Sequence, residues 1–235
     1  VSEQRDQSPV VISLTSLGNI GKNLIDTGVP VVALGLKFYN FPLIIYKLYK
    51  LIRQHNPTIV QTWLYHADFV GGLSARLARV RFIVWGIRTT ELRKDSYLTA
   101  ILRKVLALLS YSIPHKIIIN SERGMERHIR LGYDTSKMTV VPNGFNIQKA
   151  NVGSNLIDDL KKTLAINSND FVIGCVGRLS QVKGQDVFIK SAGVILHSFP
   201  NIKFLMVGRG LVYDNPDVMS LIKETGSTDN FILLG

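Results

Sequence analysis

The chain has 235 residues, 46% of them hydrophobic and 19% charged, with a formal net charge of +11. This balance excludes an intrinsically disordered chain, which carries fewer apolar and more charged residues. No uninterrupted apolar run of about 18 residues occurs, so a membrane-spanning helix is not expected, and no signal peptide is recognisable. One cysteine, Cys175, cannot form an internal disulfide and fits a reducing cytoplasm. The charge is uneven: residues 1–150 hold 20 Lys and Arg against 9 Asp and Glu, whereas residues 151–235 hold 8 against 8. A basic first half suits an anionic membrane surface or a phosphorylated substrate, and the plain alternative is a solvated basic surface with no specific partner.

In chain order, short β-branched runs predict strands at 10–15, 31–35, 58–63, 81–87, 116–120 and 138–142, and then at 171–177, 202–208 and 230–235. Helical patterns lie between them, notably at 41–55, 96–109 and 121–132, the last opened by Ser121 as N-cap. Strands apolar throughout and separated by helices predict a parallel sheet covered on both faces, a doubly wound α/β fold. Pro142-Asn143-Gly144 followed by a polar stretch breaks the series, which places a domain boundary near residue 147. On the 41–55 helix, Lys47, Lys50 and Arg53 recur at three-residue steps among apolar residues. They read as snorkelling cations on a packed helix or as a membrane-surface face. Lys94, Arg103 and Lys104 read as the solvated side of the 96–110 helix region.

Residues 174–184, GCVGRLSQVKG, carry the chemistry most clearly. Ligands of open α/β sheets sit at the carboxyl ends of strands. Gly177 ends such a strand, and Gly184 precedes a helix predicted at 185–198, whose N-terminus suits phosphate. Arg178 and Lys183 add two cations. The pattern describes a diphosphate site or, equally, an ordinary βα loop with two exposed cations. It is not a P-loop or a G-x-G-x-x-G dinucleotide loop. A second glycine pair, Gly208 and Gly210 around Arg209, follows the next strand and faces the same crevice.

VVPNGFN (140–146), GCVGRLSQVKGQDVFIKSA (174–192) and FLMVGRG (204–210) resemble the hinge and nucleotide-binding half of retaining glycosyltransferases of family 4. VQTWLYHADFVGGLSARLA (60–78), VWGIRTTEL (84–92) and NSERGMERHIRLGY (120–133) are similar to its acceptor half. The resemblance implies a GT-B fold, two Rossmann-like domains facing a cleft: residues 1–146 on the acceptor side and 147–235 on the donor side. It further implies transfer of a sugar from a UDP- or GDP-linked donor to a hydroxyl of a glycan or lipid-linked acceptor. Arg178, Lys183 and Gly177 match the donor-diphosphate loop, and His66 matches the cleft histidine facing the transferred sugar. Arg88, Gly208 and Gly210 are further cleft candidates, and Asn143 and Gly144 match the hinge. A lone histidine is otherwise a satisfied structural residue.

The family's Glu-x7-Glu motif and N-terminal Gly-rich loop have no counterpart in the chain, which therefore reads as a fragment cut at both ends. No Asp-x-Asp occurs, so a metal-free mechanism with no cofactor is expected, with the two cations and a helix dipole standing where a divalent ion would. No nucleic-acid partner is expected. The implied location is the cytoplasm, peripheral on the inner face of the membrane. Two other readings stay open: a sugar-nucleotide epimerase of GT-B fold, and a non-catalytic module binding polyanions or membrane.

Overall fold

The computed structural model describes residues 9–37, 40–88, 97–145 and 154–235. The expected boundary near residue 147 and Lys94 lie outside these. The chain divides into two compact units, one through Phe145 and one from Asn146.

The first unit runs β1 (Val11–Ser13), α1 (Gly18–Asp26), β2 (Val31–Ala33), α2 (Phe41–His55), β3 (Ile59–Trp63), α3 (Tyr65–Leu77), β4 (Phe82–Ile87), α4 (Tyr97–Leu109), β5 (Lys116–Ile119), α5 (Glu122–Arg130) and β6 (Met138–Val140). The strands form a β1–β2 pair and a sheet ordered β3-β4-β5-β6, all parallel. A parallel ladder requires a crossover between consecutive strands, and the amphipathic helices supply it. Ile44, Leu48 and Ile52 line the inward stripe of α2 and join Ile83, Trp85, Ile87, Ile117 and Ile119 in one core. Asn56 closes α2 in the left-handed conformation, a common helix stop. Ser121 caps α5 as expected, its Oγ accepting from the Gly124 amide.

The second unit runs α6 (Ser154–Thr163), β7 (Phe171–Val176), α7 (Gln185–Leu196), β8 (Ile202–Val207), α8 (Pro216–Glu224) and β9 (Phe231–Leu233). Its sheet is parallel, ordered β7-β8-β9. Phe204, Met206, Phe231, Ile189 and Ile222 form the centre of its core. Asn215 caps α8, its Oδ1 accepting from the Asp217 and Val218 amides, with Pro216 at the first helical position.

Two expectations are corrected. Burial on both faces holds for the central strands β4 and β5, but the sheet-edge strands β3 and β7 expose Ile59, Trp63, Phe171 and Val176. An edge strand has a neighbouring strand on one side only. Nor is Arg103 solvated. It lies on the same side of α4 as Leu106 and Ala107, at i+3 and i+4, so the helix carries it inward, where it is 6% exposed over the Tyr65 ring.

Candidate functional site

In the second unit, the pairing of β7 with β8 continues past both strands. The Gly177 amide donates to the Val207 carbonyl (2.8 Å), and the Leu179 amide donates to the Arg209 carbonyl (2.9 Å). The two strand-end loops therefore lie against each other. Gly208 has φ +141°, and a Cβ there would fall 2.4 Å from the Gly177 carbonyl oxygen. Only glycine allows these backbones to touch. Gly210, at φ +90°, lies beneath Leu179.

Beyond Arg178 the chain makes a short 3-10 turn, Gln181–Lys183, closed by the Lys183 amide donating to the Ser180 carbonyl (2.9 Å). Gly184, left-handed at φ +68°, ends the turn and starts α7. A Cβ on Gly177 would sit 3.7 Å from Lys183 Cδ, so the aliphatic stem of Lys183 lies across Gly177. Arg178 and Lys183 are both exposed. Both residues and the positive end of α7 belong to the loop at the carboxyl end of β7, an arrangement suited to an oxyanion such as a diphosphate.

Sequence reasoning missed Gln185. This first residue of α7 is buried, and its Nε2 donates to the carbonyls of Arg178 (2.9 Å) and Gly177 (3.2 Å) while its Oε1 accepts from the Ser180 amide (3.3 Å). One amide side chain thus satisfies three backbone groups of this part-buried loop. A glutamine directly after a loop-closing glycine at a helix start was the available signal.

In the first unit, the carboxyl ends of β3, β4 and β6 carry the other expected residues. Leu64, between β3 and α3, takes φ +75°, ψ 152°, a conformation side-chain-bearing residues rarely enter. This turn sets His66 on the exposed first turn of α3. Arg88 leaves the end of β4, whose Gly86 is in register with Trp63 of β3. Arg88 is exposed, and its Nη1 donates to Asn143 Oδ1 (2.5 Å). The residue expected in the cleft and the one expected at the hinge are thus hydrogen-bonded to each other. Gly144 is exposed beside them.

Beneath His66 lies a polar cluster that sequence reasoning also missed. Gly71 and Gly72 let α3 rest directly on the sheet: a Cβ would come 2.8 Å from Thr62 Cγ2 at the first and 2.6 Å from Trp85 Nε1 at the second. Asp68 shares that face, at i−3 and i−4, and is 1% exposed. Thr62 Oγ1 donates to Asp68 Oδ1 (2.5 Å). Asp68 Oδ2 has no hydrogen-bond partner among the described residues. Burial pushes the Asp68 carboxyl up to about 7, against the opposing pull of Thr62 and the Gly86 amide. The Tyr65 hydroxyl pairs with His128 Nε2 (2.8 Å), and His128 Nδ1 contacts the Gly124 carbonyl (2.7 Å). Burial, with the Arg103 charge as a lesser cause, holds His128 below its ordinary value. The spacing Asp68, Gly71, Gly72, Ala75 could have revealed a buried acid, since small residues mark the face that lies on a sheet. Among the described residues no three His, Cys, Asp or Glu side chains are gathered as metal ligands.

Comparison with known proteins adds to this geometry. Residues 3–149 match the family described as Glycosyltransferase Family 4, and residues 157–235 match that described as Glycosyl transferases group 1. The Escherichia coli UDP-Gal:alpha-D-GlcNAc-diphosphoundecaprenol alpha-1,3-galactosyltransferase is 28% identical over 188 residues, 77% of this chain and 46% of that protein. The Staphylococcus aureus capsular polysaccharide biosynthesis glycosyltransferase CapM is 27% identical over 173 residues, 69% of this chain and 43% of that protein. The chain spans about half the length of the curated relatives it matches. Among solved structures, Anabaena HepE in complex with UDP-glucose superposes with a TM-score of 0.83 at 22% identity, covering 100% of this chain and 62% of that one.

Proposed function

The chain belongs to glycosyltransferase family 4, with the parallel α/β build of the GT-B fold in each unit, and on that premise we propose that the protein is a retaining transferase. It moves a sugar from a nucleoside-diphosphate donor to a hydroxyl of a glycan or lipid-linked acceptor in cell-surface polysaccharide or glycolipid synthesis. The observation that carries this reading is the loop after β7, where the Lys183 stem lies across Gly177, Arg178 follows directly in sequence and Gly184 starts α7.

In the proposed reaction the bond between sugar C1 and the diphosphate oxygen breaks, and its electron pair leaves with the diphosphate. The acceptor oxygen bonds to C1 from the same face, and the acceptor proton passes to a phosphate oxygen of the leaving group. Arg178, Lys183 and the α7 dipole neutralise the charge that develops there. Preorganisation of the loop by Gln185 means that little reorganisation is required as that charge appears. His66 hydrogen-bonds a hydroxyl of the transferred sugar, and the Arg88–Asn143 contact steadies the chain at the proposed hinge. Supporting a uridine donor, HepE was solved with UDP and UDP-glucose, and the E. coli relative is named for UDP-Gal. Supporting a lipid-linked acceptor, that same relative is named for a diphosphoundecaprenol substrate. The proposed place of work is the inner face of the cytoplasmic membrane.

Product analysis with labelled donor tests the reading. Transfer releases the free nucleoside diphosphate and places the label on the acceptor with its anomeric configuration kept. Label remaining on the nucleotide with an altered sugar configuration indicates an epimerase, and an inverted glycoside contradicts retention.

A further inference from the structure

The outward face of α4 is apolar. Tyr97, Leu98, Ile101, Val105 and Leu108 fall within an arc of about 100° when plotted at 3.6 residues per turn. Tyr97, Leu98 and Leu108 are 80%, 68% and 76% exposed, and Ile101 and Val105 are also exposed. The opposite side of the helix, with Arg103, Leu106 and Ala107, is buried. The helix therefore keeps its one inward cation under cover and turns an aliphatic stripe to the outside, the reverse of a solvated surface helix. A contiguous exposed stripe of this kind marks a contact surface.

The surroundings specify the contact. α3 packs against both α2 and α4, so the three helices form one layer with α3 in the middle. Exposed on this layer are Lys47, Lys50 and Arg53 of α2, Arg76 of α3 and Lys104 of α4. α2 and α4 contain no Asp or Glu, and the one acid of α3, Asp68, is buried. An apolar stripe flanked by Lys104, on a layer whose other helices expose further cations and no acid, complements a surface that is apolar within and anionic outside. A second copy of the same layer would instead set cation against cation.

We propose that the α2–α3–α4 layer of the first unit docks on the anionic face of a lipid bilayer, with the α4 stripe entering the headgroup region and the cations engaging lipid phosphates. The 41–55 helix, a candidate membrane face from sequence, brings Lys47, Lys50 and Arg53 with exposed Leu43 and Tyr46, and α4 adds the apolar stripe and Lys104. The inference deepens the lipid-linked acceptor reading. Docking is measured with no donor present, so its failure is distinct from failure of transfer.

The test is co-sedimentation of the intact protein with vesicles of phosphatidylcholine alone and of phosphatidylcholine with phosphatidylglycerol. The expected result is binding to the anionic vesicles that weakens as salt is raised. Leu98→Glu with Leu108→Glu should weaken that binding by more than about tenfold, or ~1.4 kcal/mol. The parallel variant Lys47→Gln with Lys50→Gln and Lys104→Gln should remove the preference for anionic over neutral vesicles. Circular dichroism of both variants should match the parent, as every changed side chain is exposed. Parent-like vesicle binding by the folded Leu98→Glu, Leu108→Glu variant overturns the proposal. So does a parent that ignores anionic vesicles, or a dimer in solution that this variant converts to monomer.

Discussion

The Gln185 side chain holds the Arg178 carbonyl at 2.9 Å from inside the first turn of α7, so the donor-loop backbone is fixed by the helix that follows it. Replacing Gln185 with Leu leaves two carbonyls and one amide without partners. An unpaired group costs about 1–3 kcal/mol where it is shut off from water and less where solvent reaches it, as it does in part here. The expected outcome is a lower Tm and nucleotide affinity reduced about tenfold or more, read by thermal denaturation and titration calorimetry. Parent-like affinity in Gln185→Leu would show that the loop does not depend on this side chain.

The contact between Gly208 and Gly177 makes a sharper prediction about stability. Gly208→Ala forces a Cβ to 2.4 Å from the Gly177 oxygen at φ +141°. Gly174→Ala, in the same sheet, meets nothing within 4 Å. The first should destabilise by more than about 2 kcal/mol and the second by well under that, as expected for a strained and an unstrained substitution. Urea denaturation of both variants provides the comparison, and equal losses would mean that the two loops can part without cost.

Asp68 gives the first unit a pH dependence of known sign. Its carboxyl titrates near 7 in the fold, against an ordinary value of 3.8. Between these values the folded state holds a proton that the unfolded state has lost. Stability from this group is full below about pH 4, falls by at most about 1.4 kcal/mol per pH unit through the window, and is gone above about pH 7. His128, held below its ordinary value by burial, acts in the opposite direction in acid. Asp68→Asn keeps the contact with Thr62 and cannot ionise, while His128 is present in both proteins. The parent should therefore lose stability relative to Asp68→Asn as pH rises from 5 to 8 in denaturant titrations. A constant difference across that range would place the carboxyl in water.

How much of this was legible in the sequence follows from the range of each interaction. All nine strand segments, and helices such as 41–55, were readable because β-branched runs and 3.6-residue periodicity are local properties. The loop after β7 was readable because its glycines and cations are contiguous. Its stabiliser was not: Gln185 matters through backbone groups five to eight residues away, which become partners only when the chain turns. Arg103 was misread for a similar reason. A cation predicts solvent, and only the phase of α4 against Tyr65 shows that it points inward. Arg88 and Asn143 are 55 positions apart and meet because parallel crossovers bring the ends of β4 and β6 to the same edge.

The central claim is that the loop holding Arg178 and Lys183 binds the donor diphosphate, and titration of UDP and GDP into the intact protein in the presence of a chelator tests it most directly. A nucleoside diphosphate should bind without added metal, and Lys183→Ala should weaken that binding more than about tenfold, or ~1.4 kcal/mol, since a hydrogen bond to a charged group is worth roughly 1.5–3 kcal/mol. An unchanged affinity in Lys183→Ala contradicts the assignment of the site. Binding of neither nucleotide would leave the basic first unit as the functional surface and make a polyanion-binding module the better description.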